Sequence, residues 1–377
     1  MNRSKSEVQI VLDALRASRQ QSYDTARPMP AAYYRSEEFL QLELEQLFRR
    51  QWICLARQEE IGKPGDFVVR DLAGESVLLV RQDNGSIHAL SNVCLHRGTL
   101  IAEGSGNTRR FVCPYHAWTY STAGELLRMP LVERSECRNL RLPEFRCEIW
   151  GGFVYVNLDQ NAASLSPQLE GLSALTRNYH MEEMTLSYSA EQVWPVNWKC
   201  LAENFMEGYH LSHVHQETLH PVTPTHLCEH FAPGLAYLGY NSRYPATYVQ
   251  RGKGHHDLSD AEKQVSPMFA VMPAHVAGVA AHATSYLLLQ PQGVDAVRAQ
   301  LGVAVYDDSI SEQKKEEIGM FFEKVMNEDK EQMTRLYTGL ASRFYEPRVL
   351  ASAPHEGTVL DFYHYMDRVF NVETFDS

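Results

Sequence analysis

Two short stretches of the chain carry metal-ligand chemistry. Cys94-Leu95-His96 is followed, sixteen residues later, by Cys113-Pro114-Tyr115-His116. Each sets a thiolate beside an imidazole, and together they supply two sulfurs and two nitrogens. A [2Fe–2S] cluster with one iron on two Cys and the other on two His needs this set. Neutral imidazoles in place of two thiolates reduce the negative charge and raise the reduction potential. Such a cluster can take electrons from a ferredoxin or flavin donor. Zinc also binds Cys and His, but its cysteines usually stand two to four residues apart, whereas here each close pair is mixed.

A second constellation lies between Asn197 and His215. Glu203, Glu207, His210, His213 and His215 fall within thirteen residues. On a regular helix His210 and His213 share a face, so spacing alone slightly favours them as a chelating pair. His210 and His215 are five apart, and the helix must widen or end between them for both to bind one ion. A mononuclear Fe(II) oxygenase site needs two His and one carboxylate on one face, with the other positions open. Asp329 is the carboxylate that periodicity points to. A helix expected from about Ser309 to Leu340, with Ser309 and Glu312 in capping-box spacing, carries an apolar stripe of Ile318, Phe321, Phe322, Val325, Met333, Leu336 and Leu340. Asp329 lies on that stripe, where an ionised carboxylate is costly without a cation or hydrogen bonds. The alternatives are an Asp329 at the stripe's edge, paired with Arg335, or Glu328 as the ligand. Glu328 points about 100° away.

The elements around these residues change texture along the chain. A short amphipathic helix is expected near the N-terminus (Val8, Val11, Leu12, Leu15), and another from Glu37 to Arg50. From Trp52 to about Leu158 the chain is β-rich. Residues 67–70, 76–80 and 152–156 read as strands, and Asp83-Asn84-Gly85 as a hairpin turn. Both Cys/His stretches fall in loops of this block. Beyond residue 160 the expected elements are helices at 169–179 and 198–213, and strands at 186–193, 284–290 and 297–306. Two buried strands with a turn are expected within 269–289. The predicted fold class is α+β, a β-rich cluster domain followed by an antiparallel sheet packed by a long C-terminal helix of helix-grip type. The predicted division is a helical segment at 1–45 packing on the catalytic domain, a cluster domain at 46–160 and a catalytic domain at 161–377.

The 377 residues are 44% hydrophobic and 22% charged, as expected of a globular chain of this size. A net charge of −12 argues against nucleic-acid binding. Of seven cysteines, Cys54, Cys137, Cys147, Cys200 and Cys228 read as reduced thiols, which suits a cytoplasmic location. No apolar run reaches membrane-spanning length.

Cys-x-His-Arg-Gly and Cys-Pro-Tyr-His-Ala-Trp-Thr-Tyr resemble the Rieske domain of the Rieske non-haem iron oxygenases, specifically their large catalytic alpha subunit. The resemblance implies that Cys94 and Cys113 hold one iron of the cluster and that His96 and His116 hold the other. An acidic residue, any residue, Tyr-His, and a second His five positions on is similar to the family's iron-binding pattern. It implies His210 and His215 as ligands and leaves His213 outside the ligand set. Glu328-Asp329, with Gly339-Leu340 and Ser342 after it, resembles the third-ligand region and implies Asp329. Glu207 corresponds to an acidic residue that accepts one hydrogen bond from a ligand His and another from a cluster His of the neighbouring subunit. Many members carry Asp there, and Glu occurs in members that attack quaternary ammonium compounds.

By the same resemblance the chain is the oxygenase component of a multicomponent system, a homotrimer with or without beta subunits. O2 is its co-substrate, and electrons come from NAD(P)H through a separate flavin and iron–sulfur reductase, with or without a ferredoxin. The expected reaction is hydroxylation or oxidative dealkylation of a small organic substrate, N-methylated ammonium or aromatic. Tyr237, Tyr240 and Tyr244 are candidate cation–π partners for an ammonium group. The competing function is an electron carrier or ligand-binding module with an inactive second site.

Overall fold

In the computed structural model, residues 5–131, 139–249, 252, 254–306 and 310–371 are described. The chain divides into two compact units, one formed by Phe48–Leu165 and the other by Met1–Leu47 with Ser166–Ser377. Among the described residues no helix is long and apolar enough to cross a membrane.

The Phe48–Leu165 unit is built almost wholly of strands. A seven-stranded antiparallel sheet runs in the order Ile53–Arg57, Phe153–Asn157, Glu144–Trp150, Ile87–Ser91, Glu75–Arg81, Asp66–Leu72, Ser105–Asn107. A smaller sheet joins Arg110–Val112, Thr119–Ser121 and Leu126–Arg128. The expected strands at 67–70 and 76–80 are present, and the third starts one residue late, at Phe153. The hairpin also forms. Gly85 takes a φ of 85°, which costs glycine little, and Gln82 and Ser86 close the turn with a 2.8 Å main-chain bond. A small core of Leu78, Val80, Leu90, Ile101, Phe111, Tyr120, Leu126 and Leu142 closes around Cys94 and Cys113.

The other unit has a seven-stranded antiparallel sheet in the order Thr185–Trp194, Ala296–Val305, Ala283–Gly293, His275–Ala280, Val265–Val271, Tyr237–Arg243, Cys228–His230. Residues 269–289 therefore span parts of three strands, not two, because the buried run hides a second reversal at 281–282. The helix Glu312–Gly339 packs on strand Thr185–Trp194 and on the helix Trp198–Phe205. This mixed helix-and-sheet architecture matches the expected fold class.

Three expectations need correction. Ser309 lies outside the described residues, and the long helix is capped instead by Ser311, whose hydroxyl accepts from Lys314 N. The stripe is also rotated by less than the ~100° step between successive residues. Phe321 and Leu336 are exposed (48% and 45%), whereas Phe322, Val325, Met326, Asp329, Met333 and Tyr337 are buried. Asp329 remains on the inward face. Finally, 198–213 is not one helix. It is a helix at Trp198–Phe205, a break, and a single turn at Leu211–Val214.

A last helix, Ala353–Phe370, was not legible in the sequence. Its buried residues run consecutively from Gly357 to Tyr363 with Tyr365, Met366 and Asp367, so no amphipathic period marks it. It lies between the N-terminal helix Glu7–Ser18 and the strands Cys228–His230 and Tyr237–Arg243.

Candidate metal centres

Cys94 and Cys113 sit in two turns built on one plan. Gly98 N donates to Cys94 O (3.0 Å) and Cys94 N to Thr99 O (2.9 Å). Ala117 N donates to Cys113 O (3.0 Å) and Cys113 N to Trp118 O (2.8 Å). The fifth residue of each turn is left-handed, Gly98 at φ 76° and Ala117 at φ 57°. Each turn thus directs its cysteine inward and its histidine outward. Cys94 and Cys113 are 2% and 3% exposed, whereas His96 and His116 are exposed, with ring centroids 4.6 Å apart.

Aromatic neighbours fix the site. Trp118 stacks on His96 at 4.9 Å with planes 10° apart, and Tyr115 lies 3.7 Å from His116. The Tyr120 hydroxyl is 3.2 Å from Cys94 Sγ and accepts from Leu95 N at 3.0 Å, which leaves its own proton available to a cysteine thiolate. Tyr120 closes the Cys-Pro-Tyr-His-Ala-Trp-Thr-Tyr run, but the sequence assigned it no role. Two buried sulfurs beneath two exposed nitrogens are the donor polarity that a cluster with one Cys-held and one His-held iron requires.

The break after Phe205 has local causes. Met206 caps the helix, and Glu207 then draws the next backbone amides to its side chain, accepting from Tyr209 N and from His210 N (3.2 Å). Gly208 has no room for a Cβ, which would stand 2.3 Å from Cys228 Sγ. Tyr240 OH donates to Glu207 O (3.3 Å) and Thr358 Oγ1 donates to Met206 O, holding the bend from two sides. His210 precedes the short turn Leu211–Val214 and His215 follows it.

His210, His215 and Asp329 each offer one ligand atom, all within 4.8 Å of one another. Asp329 Oδ1 lies 3.0 Å from His215 Nε2 and 3.6 Å from His210 Nε2. The opposite ring nitrogens meet carboxylates as well: His210 Nδ1 is 2.5 Å from Glu207 Oε1, and His215 Nδ1 is 2.8 Å from Glu328 Oε2. Carboxylates only accept, so in the neutral rings both Nδ1 atoms donate and both Nε2 atoms carry lone pairs. These lone pairs converge on Asp329, which is 4% exposed and whose Oδ1 is buried without a hydrogen bond. Three acceptors facing one another in a largely buried space are unfavourable unless a metal ion or a proton joins them. The donor set, two imidazoles and one carboxylate, suits Fe(II). In the metal-free chain, burial disfavours charge on His210, but Glu207, Asp329 and Glu356 outweigh it and raise its pKa to about 9.

His213 is exposed and outside this group, so the pair favoured by helical spacing is not the one assembled. Arg335 pairs with Glu331, not with Asp329. Glu328, expected to point away, grips His215 from behind while Thr218 Oγ1 donates to it (2.6 Å). Its adjacency to Asp329 was the available signal. The three tyrosines do not form one cage. Tyr237 and Tyr240 alternate in parity along one strand, and Tyr244 stacks on Tyr248 and bonds Ser266. Glu203 is also half-buried near the bend. Burial raises its pKa to about 8, against the opposing hydrogen bond from Tyr34 OH (2.8 Å), and its Oε1 has no hydrogen bond.

A model of the Rieske [2Fe-2S] domain matches residues 51–146, and one of the ring hydroxylating alpha subunit (catalytic domain) matches 177–371. The carnitine monooxygenase oxygenase subunit of Acinetobacter baumannii is 31% identical over 198 residues, 51% of this chain and 53% of that protein. The benzene 1,2-dioxygenase subunit alpha of Pseudomonas putida is 35% identical over 192 residues, 47% of this chain and 42% of that one. The N,N-dimethyl phenylurea N-demethylase subunit alpha of a Sphingobium species is 32% identical over 199 residues, 50% and 43%. The matches thus span about half the length of these curated relatives or less. A crystal structure of the quaternary ammonium Rieske monooxygenase CntA with an inhibitor superposes with a TM-score of 0.82 at 22% identity, covering 95% of this chain and 98% of that one. Naphthalene 1,2-dioxygenase from Rhodococcus sp. bound to indole superposes with 0.78 at 20% identity, covering 97% and 98%. At these identities the superpositions establish the fold.

Proposed function

Because this chain belongs to the family of ring-hydroxylating oxygenase alpha subunits, with a Rieske domain ahead of the catalytic domain, we propose that it is the terminal oxygenase of a multicomponent system. Cys94 and Cys113 hold one iron of a [2Fe–2S] cluster and His96 and His116 the other. His210, His215 and Asp329 hold a mononuclear Fe(II). The observation that carries the second assignment is Asp329 Oδ1, buried without a hydrogen bond before two imidazole nitrogens. Fe(II) bound there would supply O2 activation for insertion of oxygen into a C–H bond or an aromatic ring.

The protein's part is positioning. Glu207 and Glu328 fix the two imidazoles from behind, and the bend after Phe205 brings five-residue spacing onto one point. Glu207 also serves as the bridge by which an electron from a neighbouring subunit's cluster reaches His210, in a homotrimer. A separate NAD(P)H-dependent reductase, with or without a ferredoxin, charges the cluster.

The substrate reading we favour is an N-methylated or quaternary ammonium compound. Hydroxylation of an N-methyl group gives an unstable hydroxymethyl that leaves as formaldehyde. Glu at position 207, and relatives that act on carnitine and on an N,N-dimethyl phenylurea, support it. Similarity to the benzene dioxygenase subunit supports an aromatic ring instead. A substrate screen with a surrogate reductase separates them, since demethylation releases formaldehyde and ring dioxygenation gives a diol. An anaerobic preparation should hold three irons per chain and show the electron paramagnetic resonance of a reduced Rieske cluster after dithionite. Zinc in place of iron and no such signal would overturn the proposal, and two irons per chain would favour an electron carrier.

A further inference from the structure

His180, His255 and Asp257 form a second group of metal-ligating side chains that the oxygenase chemistry does not use. His180 follows the tight turn Arg177–Tyr179, and His255 and Asp257 lie in the connection between strands Tyr237–Arg243 and Val265–Val271. One donor atom from each falls within 4.8 Å of the others. His180 Nε2 is 2.8 Å from Asp257 Oδ2 and His255 Nδ1 is 3.6 Å from the same oxygen. The two imidazoles lie close and tilted, centroids 3.8 Å apart and planes 35° apart.

The surroundings are acidic on both edges. Glu182 and Glu183 approach His180 Nδ1 at 3.7 and 3.6 Å, and Glu183 Oε2 is 3.7 Å from His255 Nε2. His256 Nε2 stands 3.3 Å from the other Asp257 oxygen, a fourth available donor. His180 is held at φ 42°, ψ 52°, a left-handed conformation that a non-glycine residue adopts at some cost. A divalent cation can bind both nitrogens at once and is drawn by three nearby carboxylates.

We propose that His180, His255 and Asp257 bind a divalent transition ion of the zinc class. Imidazole and carboxylate donors suit that class better than calcium or magnesium, which take oxygen ligands. The ion fastens residues 254–264 to the turn before strand Thr185–Trp194. The same two segments are already joined by Asn178 Nδ2 to Glu262 Oε1 and by Tyr179 OH to Glu262 O, both 2.9 Å, so the ligands converge on an existing contact.

The test uses the iron-loaded enzyme, equilibrated with slight excess Zn2+, desalted and analysed for metals. We expect about one zinc per chain retained beside a full iron complement. His255→Ala and Asp257→Asn should each lower retained zinc at least about tenfold with iron and cluster absorbance unchanged. Zinc should also slow protease cleavage within 254–264 in the parent and not in the variants. Asp257 is partly exposed, so Asp257→Asn carries the comparison if His255→Ala does not fold. No retained zinc in the parent, zinc bound only as iron is lost, or equal retention in the variants would each overturn the assignment.

Discussion

Glu328 makes the most discriminating target, because it touches the proposed iron site without belonging to its ligand set. Its carboxylate accepts from His215 Nδ1 at 2.8 Å and from Thr218 Oγ1 at 2.6 Å, and both donors are buried. Glu328→Ala leaves these donors without their acceptor and frees the ring to turn or change tautomer. Removing such a partner of a metal-bound histidine typically weakens metal binding about 10- to 100-fold, or about 1.4 to 2.7 kcal/mol. Loss of a hydrogen bond to a charged group, at about 1.5 to 3 kcal/mol, gives the same range. Glu328→Gln keeps an accepting carbonyl and loses only the charge. If half the free energy survives, the loss is roughly three- to tenfold. Anaerobic equilibrium dialysis of Fe(II) against protein with an intact cluster measures both, with cluster absorbance as the internal control. An alanine variant within about twofold of the parent, or a glutamine variant worse than alanine, would refute the reasoning.

Asp329→Ala should drop the iron content from three to two per chain, leave the cluster's paramagnetic signal intact and abolish turnover. Metal analysis and product assay decide this, and turnover at the parent rate would remove Asp329 from the site. Glu207→Gln should retain both metals and slow single-turnover electron delivery about tenfold or more. An unchanged rate would refute the bridging role. Tyr120→Phe removes the hydroxyl 3.2 Å from Cys94 Sγ and should lower the cluster's reduction potential, by ~40 mV for a bond worth about 1 kcal/mol in favour of the reduced form, read by redox titration. Glu203 is neutral in the fold up to pH about 8 but ionises in the unfolded chain above about 4.5. Its contribution is therefore present at low pH and is lost as pH rises through that window, by about 2 kcal/mol between pH 6 and 8. Glu203→Gln should flatten that part of the stability profile, and thermal melts at the two pH values should show a smaller difference than the parent.

The cluster turns were legible because short-range ligand spacing survives any packing. For the second candidate site, composition showed the density of ligands, the resemblance pointed to His210 and His215, and period placed Asp329 on the inward face. Helical spacing favoured His210 with His213, and it failed because Glu207 takes the amides of Tyr209 and His210 that a continuing helix would have used. Asp329 was found by period, although Phe321 and Leu336 had been placed on the wrong face. A stripe read from hydrophobicity cannot separate adjacent apolar residues such as Phe321 and Phe322, and only packing on strand Thr185–Trp194 does so. The helix Ala353–Phe370 escaped because it is buried nearly all round, which erases the contrast that periodicity needs.

The paired turns around Cys94 and Cys113 have a consequence for assembly. Each is closed by two main-chain hydrogen bonds that involve no iron. Small zinc domains collapse without their ion because the ion is what closes the loop. Here main-chain hydrogen bonds supply part of that closure. The receptacle for a cluster is therefore shaped by the polypeptide as well as by the ligand bonds, through Gly98 and Thr99 on one side and Ala117 and Trp118 on the other.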